Sequence, residues 1–94
     1  MPITKITVSV DGNKPRTFEG REAWALYELI RAGKRGLTVL SNPAPRWSHY
    51  IYLLRRDGVK ISTTSERHYG PFSGSHGRYR LESRVKLTKA SAAA

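Results

Sequence analysis

Two prolines and a glycine bracket the segment around which this chain is arranged. Pro43-Ala44-Pro45 precedes a run from Arg46 to Asp57, and Gly58 follows it. Proline suits the first turn of a helix, where its missing N–H costs nothing, and glycine suits the left-handed position just past a helix end. Arg55 and Arg56 fall in the last turn, favourable to the negative end of the helix dipole. The spacing therefore predicts one helix over 45–57. Trp47, Ile51 and Leu54 recur at i, i+4 and i+7 with Tyr50 beside them, which makes one apolar stripe. The opposite face carries Ser48, His49, Tyr52 and Arg56, with Arg46 and Arg55 on its flanks and no acid before Asp57. That face is rich in groups that meet hydrogen-bond acceptors, such as phosphates and base edges. Taken alone it is equally readable as an ordinary solvated helix surface.

The surrounding chain narrows the choice. Ile6, Val8 and Val10 alternate with Thr7 and Ser9, a strand with one buried face. Asp11-Gly12 is a strong hairpin signal, and Arg16-Thr17-Phe18 reads as the returning strand. From about Gly20 to Ala32 the period becomes helical. Ala23, Leu26, Tyr27 and Ile30 form the inward stripe, widened by Trp24 and Leu29, and Gly33 stops it. After Lys34-Arg35-Gly36, Thr38 is placed to cap a short helix over Leu37–Asn42, with Leu37 and Leu40 inward, ended by Pro43. The order of helix, tight link, short helix, turn and longer helix is that of a helix-turn-helix, with the last helix placed to recognise. Val59 to Thr64 then alternates as a strand, 65–77 reads as a Gly/Pro-marked loop, and 78–87 returns as a second strand with Tyr79, Leu81, Val85 and Leu87 inward. Lys89 to Ala94 has no packing pattern and reads as a frayed tail.

Charge sharpens this. The formal net charge is +10, from 17 basic against 7 acidic residues in 94, and 11 of the basic residues are arginines. Residues 1–44 carry 7 basic and 4 acidic side chains, whereas residues 45–94 carry 10 and 3. Basic charge gathered in one half of a small domain points to a polyanionic partner. No segment is apolar for long enough to span a membrane. The absence of cysteine excludes disulfides and thiolate chemistry and fits a reducing cytoplasm. The first residues lack the order of a signal peptide.

Enzyme chemistry finds no foothold in the pattern. His49, His68 and His76 are 19 and 8 residues apart, without the clustering a metal site needs, although Glu66 and His68 could share a strand face. A structural or DNA-contacting role outweighs metal binding for these histidines. Gly33-Lys34-Arg35-Gly36 lacks phosphate-loop spacing, no nucleophile elbow occurs, and the carboxylates are scattered. Trp24 and Trp47 could stack on unpaired bases, but their places on helical stripes favour core packing. Tyr69 and Phe72 lie where no periodicity buries them, and either pack the loop or touch the ligand.

A resemblance covers roughly residues 20–87. Asn42-Pro43-Ala44-Pro45-Arg46-Trp47-Ser48, Tyr50-Ile51, Leu54-Arg55, Gly58-Val59, Ile61, Glu66, His68, Gly70-Pro71-Phe72, Gly74, His76 and Arg78-Tyr79 resemble small winged helix-turn-helix proteins of α-proteobacteria and their prophages. The specific part runs from Pro43 to Tyr79. The resemblance implies an α+β winged helix-turn-helix fold and DNA binding.

The expected architecture is one domain over 1–88. It has an N-terminal β-ribbon (1–19), a three-helix core (20–58) and a two-stranded wing (59–88), followed by a tail (89–94). The expected function is sequence-specific binding of double-stranded DNA in transcription regulation, in the cytoplasm at the nucleoid, with neither catalysis nor a cofactor or metal. Helix 45–57 would enter the major groove with Ser48, His49, Tyr52 and Arg56 towards base edges, while Arg46 and Arg55 meet phosphates. The wing would lay Arg67, His68, His76 and Arg78 on the backbone or in the minor groove. A homodimer on DNA, or another regulatory protein, is compatible as partner. The alternatives are an excisionase-like bending factor, RNA binding, and a protein-interaction module without DNA.

Overall fold

The alternation of Ile6, Val8 and Val10 produces the central strand of the first of two sheets. The computed structural model describes residues 2–92. Strand β1 (Ile3–Val10) pairs antiparallel with β2 (Arg16–Glu19). Asp11 and Gly12 both take positive φ, 52° and 79°, and the Asn13 N–H donates to the Val10 carbonyl at 3.0 Å. These are the features of the mirror-image turn that suits strand twist. Thr7 faces Thr17, with their hydroxyls 3.1 Å apart.

Helix α1 (Gly20–Ala32) follows directly and packs on β1. Its fully buried residues are Ala23, Ala25, Leu26 and Leu29, while Trp24, Tyr27 and Ile30 are half-buried. The inward stripe is thus turned slightly from the expected one, towards Ala25 and Leu29. Gly33 (φ 60°) ends the helix, and a single 3-10 turn, Gly33–Arg35, leads to Gly36. A side chain at Gly36 would lie 2.4 Å from the Tyr79 carbonyl oxygen, so only glycine admits this close approach.

The short middle helix is absent. Leu37–Thr38 forms strand β3, and one turn follows it. Thr38 does cap: its hydroxyl accepts from the Leu40 and Ser41 N–H groups at 3.1 and 3.0 Å, and the Asn42 N–H reaches the Thr38 carbonyl at 2.9 Å. Pro43 and Pro45 then remove the donors and restrict the residues before them, so propagation ends after one turn. Leu37 is buried, but Leu40 is 58% exposed rather than inward. The described residues therefore contain two α-helices, not three.

Helix α2 (Trp47–Arg56) starts later than expected. Pro45 lies outside it, and Arg46 is the cap, held at φ 67°. The His49 and Tyr50 N–H groups both donate to the Arg46 carbonyl. The left-handed Arg46 turns Trp47 inward, where its indole N–H donates to the Asn42 carbonyl at 2.7 Å. Trp47, Tyr50, Ile51 and Leu54 are buried as the stripe requires, and Gly58 (φ 93°) follows the helix end.

Strands β4 (Ile61–His68) and β5 (Gly74–Leu81) form a hairpin in register from Ile61↔Leu81 to His68↔Gly74. Its connection is shorter than the expected loop over 65–77. The sheet order is β3-β5-β4. The largest departure comes next. Strand β6 (Val85–Ala92) leaves the hairpin and pairs antiparallel with β1, from Val10↔Val85 to Ile3↔Ala92, giving the order β2-β1-β6. Residues 85–87 therefore belong to the N-terminal sheet rather than to a wing strand. Residues 89–92, expected to fray, are backbone-paired; Ala93 and Ala94 lie outside the described residues. Leu87, expected inward, is exposed, and beyond it the strand has no hydrophobic alternation to reveal it. What holds it is the free edge of β1, clasped by the Asp11 N–H on the Arg84 carbonyl (2.7 Å) and the Arg84 N–H on the Asp11 carboxylate (2.8 Å).

Candidate nucleic-acid interface

Burial of the Trp47 stripe forces the opposite face of α2 into solvent. Ser48, Tyr52, Arg55 and Arg56 are exposed there, His49 is half-buried, and Arg46 stands exposed at the helix entrance. The His49 and Tyr52 rings stack, with centroids 6.3 Å apart. Arg56 Nε lies 3.5 Å from Asp57 Oδ1, a loose solvent-exposed pair that leaves the guanidinium accessible.

Arg55 is placed differently. Its guanidinium donates twice to the Ile61 carbonyl, at 3.2 and 2.7 Å, and once to the Thr63 hydroxyl at 2.9 Å. It ties the end of α2 to the start of β4. Trp47 is the second tie, packed near-parallel to Tyr79 on β5 at 6.4 Å and against Trp24 of α1 at 5.2 Å. Helix and hairpin base are thereby fixed to each other.

On the hairpin, the structure brings Glu66, His68, His76 and Arg78 into one cluster. The Arg78 guanidinium forks onto the Glu66 carboxylate, one arm at 3.1 Å and the Nε arm shorter, and its third nitrogen donates to the Arg35 carbonyl at 3.1 Å. That hydrogen bond holds the Glu66 carboxyl below its ordinary range and raises the Arg78 guanidinium further. His68 and His76 stack with Nδ1 atoms 2.8 Å apart, so one ring donates and the other accepts. His76 Nε2 also stands 3.5 Å from Glu66. Arg67, on the other face of β4, is exposed, and its side chain has no hydrogen bond or ion pair among the described residues. Of the ten residues singled out in the sequence, Arg46, Ser48, Tyr52, Arg56 and Arg67 thus present accessible side chains, with His49 at the margin. Arg55, His76 and Arg78 are engaged within the protein, and His68 is held by His76.

Sequence reasoning passed over Arg80, which donates to the Lys34 carbonyl and the Thr64 hydroxyl and, with Arg78, fastens β5 to the 3-10 turn. It also passed over a cleft of about 490 Å³ beside that turn, lined by Arg31, Arg35 and Arg78 with Glu28, Ser41 and Asn42. Its signal is visible only in the fold, because its arginines lie 47 residues apart at the extremes. Tyr69 and Phe72, open between packing and contact on sequence, pack against nothing: they are 81% and 89% exposed.

No described helix is long and apolar enough to cross a membrane, and no three His, Asp or Glu residues among those described are grouped to hold a metal ion. No curated protein and no solved structure matches the chain. The profile of one family, described as a winged helix domain, matches residues 15–91. That span takes in both helices, the hairpin and nearly all of β6. A winged helix points to DNA binding in general, and this chain belongs to that winged helix family.

Proposed function

We propose that this protein is a double-stranded DNA-binding regulator of transcription, a binding module rather than an enzyme. Helix α2 is its major-groove reader and the β4–β5 hairpin is its wing. The observation that carries this is the exposed face of α2. Ser48, Tyr52 and Arg56 line it with His49, opposite a fully buried stripe, in a chain of net charge +10. Ser48, His49, Tyr52 and Arg56 meet base edges, and Arg46 meets a phosphate at the helix entrance. Arg67 meets the backbone from the wing. Arg55, His76 and Arg78 act one step back: they hold the wing to the helix and keep its shape.

Binding is tested by titrating labelled duplex at several salt concentrations. With Arg46 and Arg67 each neutralising one phosphate, log K falls against log salt with a slope near −2, steeper by about one for each further basic side chain that reaches the backbone. Within that assay, Arg56→Ala and His49→Ala lower discrimination between preferred and scrambled sites, by about 1–3 kcal/mol where a bidentate contact is lost. Arg67→Ala weakens both sites equally and flattens the slope by about one unit. No binding at low salt defeats the proposal, and selectivity lost only in Arg67→Ala makes the wing the reader.

A further inference from the structure

We infer that the tip of the β4–β5 hairpin is an apolar wedge, Tyr69 with Phe72, that enters the DNA minor groove and unstacks a base step there. The inference rests on the DNA-binding reading and adds a mechanical consequence, a bend.

Tyr69 and Phe72 are the two most exposed large apolar side chains among the described residues. They sit on the five residues between β4 and β5, around Gly70 at φ 121° and Pro71. No part of the core reaches them. Two aromatic rings held in water without a packing role need another reason to be there.

The support beneath them is continuously paired and tied at its base. Eight consecutive cross-strand pairs run up the hairpin, and its base is tied to α2 by Arg55 on Ile61 and Thr63 and by Trp47 on Tyr79. From Thr63, where Arg55 holds the strand, to Tyr69 is six residues, or about 20 Å of extended chain. The major groove and the neighbouring minor groove are centred about half a helical turn apart, roughly 17 Å along the duplex. A helix seated in one groove therefore places this tip within reach of the other.

The charge around the tip selects the occupant. Arg67 is exposed two residues before Tyr69, and the one carboxylate of the distal hairpin, Glu66, is already neutralised by Arg78. Apolar rings backed by an exposed cation, with no free acid beside them, match a partner that is anionic outside and stacked and apolar within. Duplex DNA has that build, and apolar side chains that part a base step kink it.

The probe is a duplex of about 20 base pairs with central TA steps, which deform most readily. One step carries 2-aminopurine and the ends carry a donor–acceptor dye pair. On binding the wild-type protein, 2-aminopurine brightens as it unstacks, and end-to-end transfer rises as the duplex bends. Tyr69→Ser with Phe72→Ser removes both signals and weakens binding by roughly tenfold or more, the scale of lost base–aromatic stacking. The salt slope stays unchanged, because no phosphate contact is removed. Thermal melting also stays unchanged, since both side chains are exposed. If the wild-type protein binds without brightening or bending, or the double variant keeps both signals, the wedge is overturned while DNA binding stands, and the tip is then a surface for a protein partner. If the wild-type protein binds no duplex at low salt, the DNA reading fails and the wedge fails with it.

Discussion

The two sheets of this protein are built on opposite terms. In β2-β1-β6, the central strand buries Ile6, Val8 and Val10 under α1, and the core continues through Leu26 and Leu29 to Trp47, Ile51 and Leu54. In β3-β5-β4, only the base reaches that core, through Leu37, Ile61 and Tyr79. Beyond it, β4 packs on β5 and little else. The distal hairpin is shaped by named polar bonds: Arg78 on Glu66 and on the Arg35 carbonyl, Arg80 on Thr64, and His68 on His76. Burial is non-directional and tolerates exchange of apolar groups of like size, whereas such bonds depend on individual atoms. The first region should resist small insults and fail as a whole. The second should loosen locally.

The sharpest way to break this contrast is at a side chain that serves both regions. Trp47 touches Trp24, Tyr50 and Tyr79 and is almost wholly buried. Trp47→Ala removes a large core volume and one hydrogen bond, and should cost about 3–5 kcal/mol, a large part of a small domain's stability. Thermal or urea melting measures it, with helix and hairpin signals lost in one transition. A hairpin that survives in the variant as a separately melting unit would show that the two regions are independent.

A smaller change should reach the hairpin alone. Arg78→Met keeps the aliphatic stem and deletes the fork on Glu66 and the bond to Arg35. Amide hydrogen exchange along β4 and β5 should speed several-fold, with α1 and β1 protected as before. Equal acceleration throughout would mean that the Arg78 cluster carries global stability, and the contrast between the sheets would fall.

The same contrast decides what could be seen in the sequence. Periodicity exposed most of what is built on burial: the β1–β2 ribbon, α1 from Gly20 to Ala32, and the Trp47, Tyr50, Ile51 and Leu54 stripe, though it missed Ala25 and turned Leu40 and Leu87 inward. It had no purchase where pairing is by backbone alone. Strand β6 is exposed almost throughout, so Lys89 to Ala92 looked like tail when it was the partner of β1. At Thr38 the capping chemistry was legible, but the outcome was one turn, because two prolines follow before a second can form. The exposed face of α2 could be listed residue by residue. The inward commitment of Arg55 and Arg78 could not, since each depends on a carbonyl or carboxylate brought near only by folding.

The smallest expected effect asks whether the buried half also contains such a polar clasp. Glu22, in the first turn of α1, has a fully buried Oε2 with no hydrogen-bond partner. Burial, and then the Asp57 carboxylate beside it, push Glu22 up to about 7. Asp57 is held low, first by a hydrogen bond from Glu22, with Arg56 and Arg16 nearby. A protonated Glu22 donating to the Asp57 carboxylate across the α1–α2 junction accounts for both directions, and a Glu22→Gln variant tests it. The native Glu22 keeps its proton where the unfolded one, near 4.5, has lost it. Stability therefore falls as pH rises from about 4.5 to about 7, through the window between the two values. Asp57 acts oppositely and lower, losing its contribution as pH drops below its ordinary 3.8. Glu22→Gln keeps the donor and removes the titration, so it should flatten the decline in melting temperature across that window and leave the variant the more stable protein above neutrality. A variant whose pH profile parallels the wild type would remove the clasp and leave the α1–α2 junction to apolar packing alone.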